Sequence, residues 1–401
     1  MFFVGIDWAD QKHDVVVVDE KGDRVFQTSI EHNRKGLEQL QASLQRLSTV
    51  PEDFACVIET RNGLLVQFLL EITMPVYPVN PKVVNARRKA SGAKTDRIDA
   101  LLLADYGRAD LPRLKRLTPH SGLIQELQLL TRDQDVLINE HSRIANRLSA
   151  CLKEYYPVAL NLFSDYTCKC SLDLLKEYPT LSQARKATKS TMADFLKQHR
   201  VSHASRKAEE ILVAVNTPQL EADGAVVRAK SRFMLALIRQ LETVQGDIAS
   251  YEKEIERLFK SHSDHKIFSS LPGVGDRLGP RLLAEWGDDR ERYPNAEAVQ
   301  ALAGTSPVMF QSGKYSKARR RRSCVKPFRH ALQLMAFTCL TKCPWAKEYY
   351  DAKRASGSCH QAALRTLANR WVKIMFAMWM QRSLYNEDRF LGDRDKHNLA
   401  A

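Results

Sequence analysis

Four carboxylates in the first hundred residues stand where phosphodiester chemistry would need them. Asp7 closes the apolar run Phe2-Phe3-Val4-Gly5-Ile6, and Glu59 closes a second, Phe54-Ala55-Cys56-Val57-Ile58. Asp96 and Asp99 lie three apart at the head of an apolar stretch running from Thr95 to Leu103. Carboxylates gathered at strand ends repel one another unless something positive sits between them. Mg²⁺ is the cation that suits oxygen ligands, and paired metals of this type drive phosphodiester cleavage and joining. The set points to an enzyme that cuts or joins nucleic acid.

A second constellation lies toward the C-terminus. The stretch Gly304 to Lys314 holds Ser312 in an expected loop between turn residues. From there run Lys314, Lys317, Arg319, Arg320, Arg321, Arg322, Lys326 and Arg329, eight cations in sixteen residues with no acid among them. Such a run repels itself until an anion arrives. Phosphate is the natural anion, since Arg grips it bidentately, and counterion release makes the binding salt-dependent. A solvated charge run or a localisation signal is the alternative. Ser312 has no adjacent His or Asp to activate it, so by residue type alone it reads as an ordinary loop serine. Upstream, Leu271-Pro272-Gly273-Val274-Gly275 feeds a helix from Leu278 to Trp286. A glycine turn there, at Gly273 and Gly275, can present backbone N–H groups to a phosphate. It resembles a helix-hairpin-helix element that holds DNA backbone, with a plain glycine-rich cap as the alternative.

These residues need elements to position them. Strands are expected over residues 2–6, His13 to Val18 and Arg24 to Ser29, joined as a meander. A helix from Asn33 to Leu47 puts Leu37, Leu40 and Leu44 on one face. A buried strand spans Phe54 to Glu59, a helix Leu64 to Ile72, and a short strand Val76 to Val79. A further helix starts near Pro81, breaks near Ser91-Gly92 and restarts with Thr95 as its N-cap. The order β-β-β-α-β-α-β-α gives a mixed sheet with helices on its faces. Asp7 and Glu59 then end two strands that can be neighbours, and Asp96 and Asp99 share a helix face, so all four can converge. Asp10, His13 and Asp14 read as surface or strand residues that alternation turns away from Asp7.

After Pro119 the pattern becomes heptad. Leu123, Leu127, Leu130, Leu137, Ile144, Leu148 and Cys151 follow it, with Gln134 and His141 as polar exceptions. A second run comprises Val227, Met234, Leu237, Leu241, Val244, Ile248, Tyr251, Ile255 and Leu258, broken by Lys230. Two long helices result, paired as a coiled coil within or between subunits, or closed on themselves as a helical hairpin. Residues 157–225 between them read as a small helical insertion.

Composition bounds the rest. A chain of 401 residues with 44% apolar content supports two to three domains with real cores. A net charge of +14 favours a polyanionic partner, although a basic protein without that role remains the plain reading. The eight cysteines form no disulfide framework, and Cys168 and Cys170 stand too close for zinc spacing. Reduced thiols fit a cytosolic protein. Asp7 interrupts the apolar start, so no signal peptide is expected, and no segment approaches the ~18 apolar residues of a membrane span.

Together these residues resemble the DEDD transposases of bacterial insertion sequences, the RNA-guided bridge recombinases. The N-terminal match runs through Gly5-Ile6-Asp7, Ile58-Glu59 and Lys94-Thr95-Asp96-Arg97-Ile98-Asp99-Ala100. The C-terminal match runs through Leu271 to Gly275, Gly304 to Pro307 and Gln311-Ser312-Gly313-Lys314. The resemblance implies an α/β plus α fold: a RuvC-like, RNase H-like mixed-sheet domain over residues 1–118, coiled-coil helices with their insertion over 119–265, and a mainly helical transposase domain over 266–390, then a tail. It implies Mg²⁺, with Mn²⁺ as a substitute, at Asp7, Glu59, Asp96 and Asp99. It implies that Ser312 attacks DNA and forms a covalent phosphoserine link. The implied partners are donor and target DNA, a noncoding bridge RNA and further copies of the chain in a dimer or tetramer, in the bacterial cytoplasm at the nucleoid.

Two other functions remain open on sequence. A Holliday-junction-type nuclease would keep the metal site and use water as nucleophile. A non-catalytic scaffold would bind nucleic acid through its basic face alone.

Overall fold

The computed structural model describes residues 1–81, 95–313, 315–388 and 392. The helix expected from Pro81 toward Ser91-Gly92 falls outside the described residues, as does Lys314. The chain divides into two compact units, Met1–Pro119 and His120–Ala401.

In the first unit, β1 (Phe2–Trp8), β2 (Lys12–Val18) and β3 (Arg24–Glu31) form an antiparallel meander. Helix α1 (Arg34–Gln45) follows, capped by the Asn33 side chain, which accepts from the Gly36 N–H at 2.8 Å. The chain returns through β4 (Phe54–Ile58), parallel to β1, then α2 (Leu64–Glu71) and β5 (Val76–Pro78), parallel to β4. Helix α3 (Asp96–Asp110) starts at Thr95, whose hydroxyl accepts from the Ile98 N–H. The sheet order is β3-β2-β1-β4-β5, a five-stranded mixed sheet.

The central strands are apolar on both sides because both faces are covered. Val4, Ile6, Val15, Val17, Cys56 and Ile58 pack with Leu37, Leu40, Leu65 and Leu69 of α1 and α2. On the other face Phe3, Val16, Val18 and Ala55 meet Ala100 and Ala104 of α3. Small residues let α3 lie close. A Cβ on Gly5 would overlap the Ala100 carbonyl and the Ala104 nitrogen, and one on Gly107 would stand 2.6 Å from Val57.

The second unit is mostly helical. Helix α4 (Gly122–Tyr155) leads to α5 (Lys169–Glu177), α6 (Leu181–Arg185), α7 (Lys189–Gln198) and α8 (Ala204–Asn216), and α9 (Gly224–Ser261) returns. The start of α4 (Ile124, Leu127) shares a core with the end of α9 (Ile255, Leu258). The end of α4 (Leu148, Leu152) shares another with the start of α9 (Met234, Leu237) and the helices between them. The two heptad stripes therefore cover each other antiparallel within one chain. The polar exceptions sit along this pair. Gln134 is buried, and His141 meets the Gln245 side chain at 3.2 Å. Lys230 reaches Glu154 at 2.6 Å.

Beyond α9 come α10 (His265–Ser269), α11 (Leu278–Trp286) and α12 (Ala296–Ala303), then β6 (Pro307–Ser312) and β7 (Tyr315–Arg320), then α13 (Lys326–Thr338), α14 (Pro344–Ala355) and α15 (His360–Gln381). Their core centres on Trp286, fully buried, with Phe268, Tyr293, Phe328 and Trp379 at edge-to-face angles around it. The expectation of a loop around Ser312 is corrected here: Ser312 ends a strand, and the first part of the basic run is its antiparallel partner. Gly313, at φ +55°, turns the chain in the left-handed region that tight hairpins require. Among the described residues no helix is long and apolar enough to cross a membrane, and all eight cysteines are free.

Candidate active site and nucleic-acid interface

Register sets the end of β4 beside the Asp7 end of β1. β1 and β4 pair in parallel up to Ile6 opposite Ile58. Asp7 and Glu59 are each one residue further, so they extend from neighbouring strands at about 4.8 Å spacing. Side chains alternate along a strand. Phe3 and Ala55 face α3, and Val57 packs with Leu103 of the same helix. Asp7 continues the first row and belongs to the face that α3 covers, while Glu59 is the residue directly after β4 ends. Asp99, in the first turn of α3, is 4% exposed and directly precedes Ala100, the residue lying on Gly5. Asp96, one turn earlier, is exposed. The helix N-terminus favours both acids electrostatically.

Asp14 was expected to turn away from Asp7; the structure places it directly opposite. The β1–β2 register pairs Asp7 with Asp14, and paired residues share a face. Arg97 of α3 approaches Asp14, Nε to Oδ1, at 3.9 Å. Asp14 thus shares the α3 face with Asp7, with a cation from between Asp96 and Asp99 beside it. Alternation within one segment does not expose this; counting the register across the β1–β2 turn does. His13 alternates to the other side, fully buried, with Nε2 2.8 Å from His32 Nδ1.

Among the described residues no three acidic, histidine or cysteine side chains are close enough together to hold a metal ion. By chemical type the carboxylates of Asp7, Glu59 and Asp99 are the hard oxygen donors that a divalent cation takes.

Ser312 is exposed at the tip of the β6–β7 hairpin, opposite Tyr315. The expected nucleic-acid residues separate in space. Lys317, Arg319 and Arg320 lie on β7, Arg321 and Arg322 follow it, and Lys326 and Arg329 lie on α13. Arg319 and Lys317 occupy the Ser312 face of the hairpin and Arg320 the opposite one. Arg365 of α15, unremarked in the sequence, belongs with Arg320 and Arg329: burial, and then these two cations, lower its pKa from the ordinary value. Nothing in the spacing of Arg365 marks it, because three separate elements bring the group together.

Gly273 and Gly275 form the turn between α10 and α11. Gly273, at φ +73°, lies against the backbone of Thr338, 2.7 Å from where its Cβ would be. Close helix packing explains this glycine. Gly275 has open space around it.

A family model described as a transposase, of the DEDD type of IS110, matches residues 4–157. A second, described as the transposase IS116/IS110/IS902 family, matches residues 265–351. The chain is 32% identical over 398 residues to the Streptomyces coelicolor protein named "Mini-circle putative transposase for IS117", covering 96% of each chain. It is 28% identical over 392 residues to a 44.8 kDa protein of insertion element IS116 from Streptomyces clavuligerus, again covering 96% of each. An IS900 protein of Mycobacterium paratuberculosis is 24% identical, over 96% of this chain and 97% of its own. Similar along nearly its whole length to an insertion-sequence transposase, and matched at both ends by family models, the chain belongs to the IS116/IS110/IS902 transposase family and acts in DNA transposition.

Proposed function

We propose that this transposase cuts and rejoins DNA through a phosphoserine link at Ser312, with Asp7, Glu59, Asp96 and Asp99 holding Mg²⁺ in an RNase H-like domain. The observation that carries the reading is the register of the first sheet. Asp7 lies on the face where Asp99 is buried at the head of α3, and Glu59 directly follows the parallel strand beside Asp7. When bound, Mg²⁺ would neutralise charge on the scissile phosphate.

The remaining chemistry belongs to the chain. Ser312 Oγ gives up its proton and forms an ester bond to the scissile phosphorus. The phosphorus bond to the departing sugar oxygen breaks, and that oxygen takes a proton. Attack by a sugar hydroxyl of the new partner reverses these changes and frees the serine. Bond number is conserved at each step, so no ATP is needed. Lys317 and Arg319, on the Ser312 face, offset charge building on the phosphate oxygens. Exposure of Ser312 at a hairpin tip supports access to a strand of DNA. In this reading residues 1–118 form the metal-binding domain and 266–390 the serine domain, and a noncoding RNA pairs with donor and target DNA. That RNA, and assembly into a dimer or tetramer, rest on the family resemblance.

The test is a search for a covalent protein–DNA adduct. The chain is expressed with its native flanking DNA, so that any guide RNA is present, then denatured and digested. Mass spectrometry should find a nucleotide on the Ser312 peptide that depends on Mg²⁺ and vanishes in Asp7→Ala and in Ser312→Ala. Cleaved DNA with free ends and no adduct would replace the reading with a nuclease that uses water. Binding without cleavage under any condition would replace it with a scaffold.

A further inference from the structure

The β6–β7 hairpin carries more than a serine. Its register pairs Phe310 with Lys317 and Ser312 with Tyr315, and side chains alternate along both strands. One face of the ribbon therefore holds Phe310, Ser312, Tyr315, Lys317 and Arg319. The arrangement is confirmed by contact, because the Arg319 guanidinium lies over the Phe310 ring at 4.8 Å. These aromatics have not been buried. Phe310 is 48% exposed and Tyr315 50% exposed. Every residue of β7 is exposed.

Large rings held in water beside cations match one kind of partner. Nucleobases present flat π-faces at the spacing of a phosphate backbone, and proteins that hold unpaired strands combine aromatic platforms with a basic track. A duplex buries those faces in its stack, so a ring beside the attacked phosphate gains a partner only where bases are unpaired. The ribbon is also narrow enough to approach DNA from a groove.

We infer that Phe310 and Tyr315 stack on unpaired DNA bases flanking the phosphate that Ser312 attacks, with Lys317 and Arg319 along the backbone that joins those bases. This deepens the phosphoserine reading and rests on it for the position of the attacked bond. Tyr315, directly opposite Ser312, takes the nearer base; Phe310, two residues back along β6 and already braced by Arg319, takes the next. The charge complementarity is local, since the run from residue 314 to 329 contains no acid. A second copy of the chain is the competing occupant. It would have to bring basic and aromatic residues against their own kind if the contact were symmetric.

The experiment uses the full chain carrying Ser312→Ala, so that no covalent step occurs, and a short single-stranded DNA with 2-aminopurine at its centre. Stacking on an aromatic ring changes the fluorescence of that base, and titration gives affinity from the same signal. The single strand should bind with a fluorescence change, and its annealed duplex should not show that change. Tyr315→Leu with Phe310→Leu should remove the change and weaken single-strand binding roughly tenfold or more. Met309→Ala, on the opposite face of the same strand, should match the parent, which separates stacking from loss of the hairpin. Unaltered fluorescence and affinity in the double variant would overturn the inference. A double variant that binds DNA normally but changes its sedimentation would overturn it in favour of a contact between copies. Because the readout precedes chemistry, absence of a Ser312 adduct with the stacking signal intact would defeat the serine reading while leaving the platform standing.

Discussion

Gly5 of β1 lies directly under the carbonyl of Ala100 in α3, with no room for a methyl group between them. The contact joins two of the elements that carry the acidic residues, since Asp7 is two residues beyond Gly5 and Asp99 is adjacent to Ala100. Both groups crowding Gly5 belong to helix backbone, which cannot turn aside as a side chain can. Gly5→Ala should therefore lift the head of α3 from the sheet and cost about 1–3 kcal/mol or more. Denaturant unfolding of the full chain measures this, and the Ser312 adduct should be lost even where the variant is still folded. A Gly5→Ala chain of parental stability and adduct yield would show that α3 does not need this close approach.

The Asp14–Arg97 pair predicts a different kind of effect. Arg97 is largely exposed and its contact at 3.9 Å is long, so Arg97→Gln should change stability by no more than about 0.5 kcal/mol. It nevertheless leaves Asp7 and Asp14 side by side on one face without that cation. A divalent ion bound at that face would relieve their repulsion and stabilise the state that binds it. The variant should gain more thermal stability from added Mg²⁺ than the parent does. An equal gain would place Arg97 outside the electrostatics of the acidic face.

The difference between Asp7 and Asp14 shows what a sequence can disclose. The strands were legible because apolar runs of this length, bounded by turn residues, have few other uses. The mixed sheet followed from their order. Asp14 was not legible, since its facing depends on the register across the β1–β2 turn rather than on alternation within a segment. The hairpin under Ser312 was hidden for another reason: Lys and Arg dominate β7, and a run of cations looks like a solvated loop. The heptads specified helix faces but not which chain would cover them; packing of α4 on α9 decides that within one chain. Arg365 is invisible by spacing because its neighbours Arg320 and Arg329 come from other elements.

Histidines set an acid limit on stability in both units. Burial first, and then the Arg292 guanidinium, push the His120 pKa down to about 4 against the pull of Asp288. Arg292 Nη1 lies 2.7 Å from His120 Nε2, a contact that suits a neutral ring. His13 is likewise lowered to about 4, by burial and then by His32. In the unfolded chain an imidazole takes its proton near pH 6.5. Between about 6.5 and 4 the unfolded state binds protons that the folded state refuses. The stability these rings contribute is therefore complete above the unfolded pKa and is lost as pH falls toward the folded one. Unfolding midpoints measured across this window should drop steadily. His120→Gln keeps an acceptor for Arg292 and should flatten part of the slope; an unchanged slope would exclude His120 as a source.

Asp264 predicts the largest single loss. It is 3% exposed, and it accepts from Arg290 Nη2 at 2.8 Å and from the Trp379 indole N–H at 3.0 Å. Arg290 also lies over the Trp379 ring at 4.9 Å and donates to the Trp379 carbonyl. The carboxylate thus fixes a cation and the edge of a central core residue together. Asp264→Ala should cost about 3–5 kcal/mol, because it leaves Arg290 without its counter-charge. Arg290→Leu should also be costly, since it leaves a buried carboxylate behind. Removing both partners leaves neither charge uncompensated, so the double variant should be clearly more stable than the sum of the single losses implies. Denaturant unfolding of all four chains closes that cycle. Additive losses would mean that Asp264 acts through the Trp379 indole and the first turn of α10, with Arg290 a bystander.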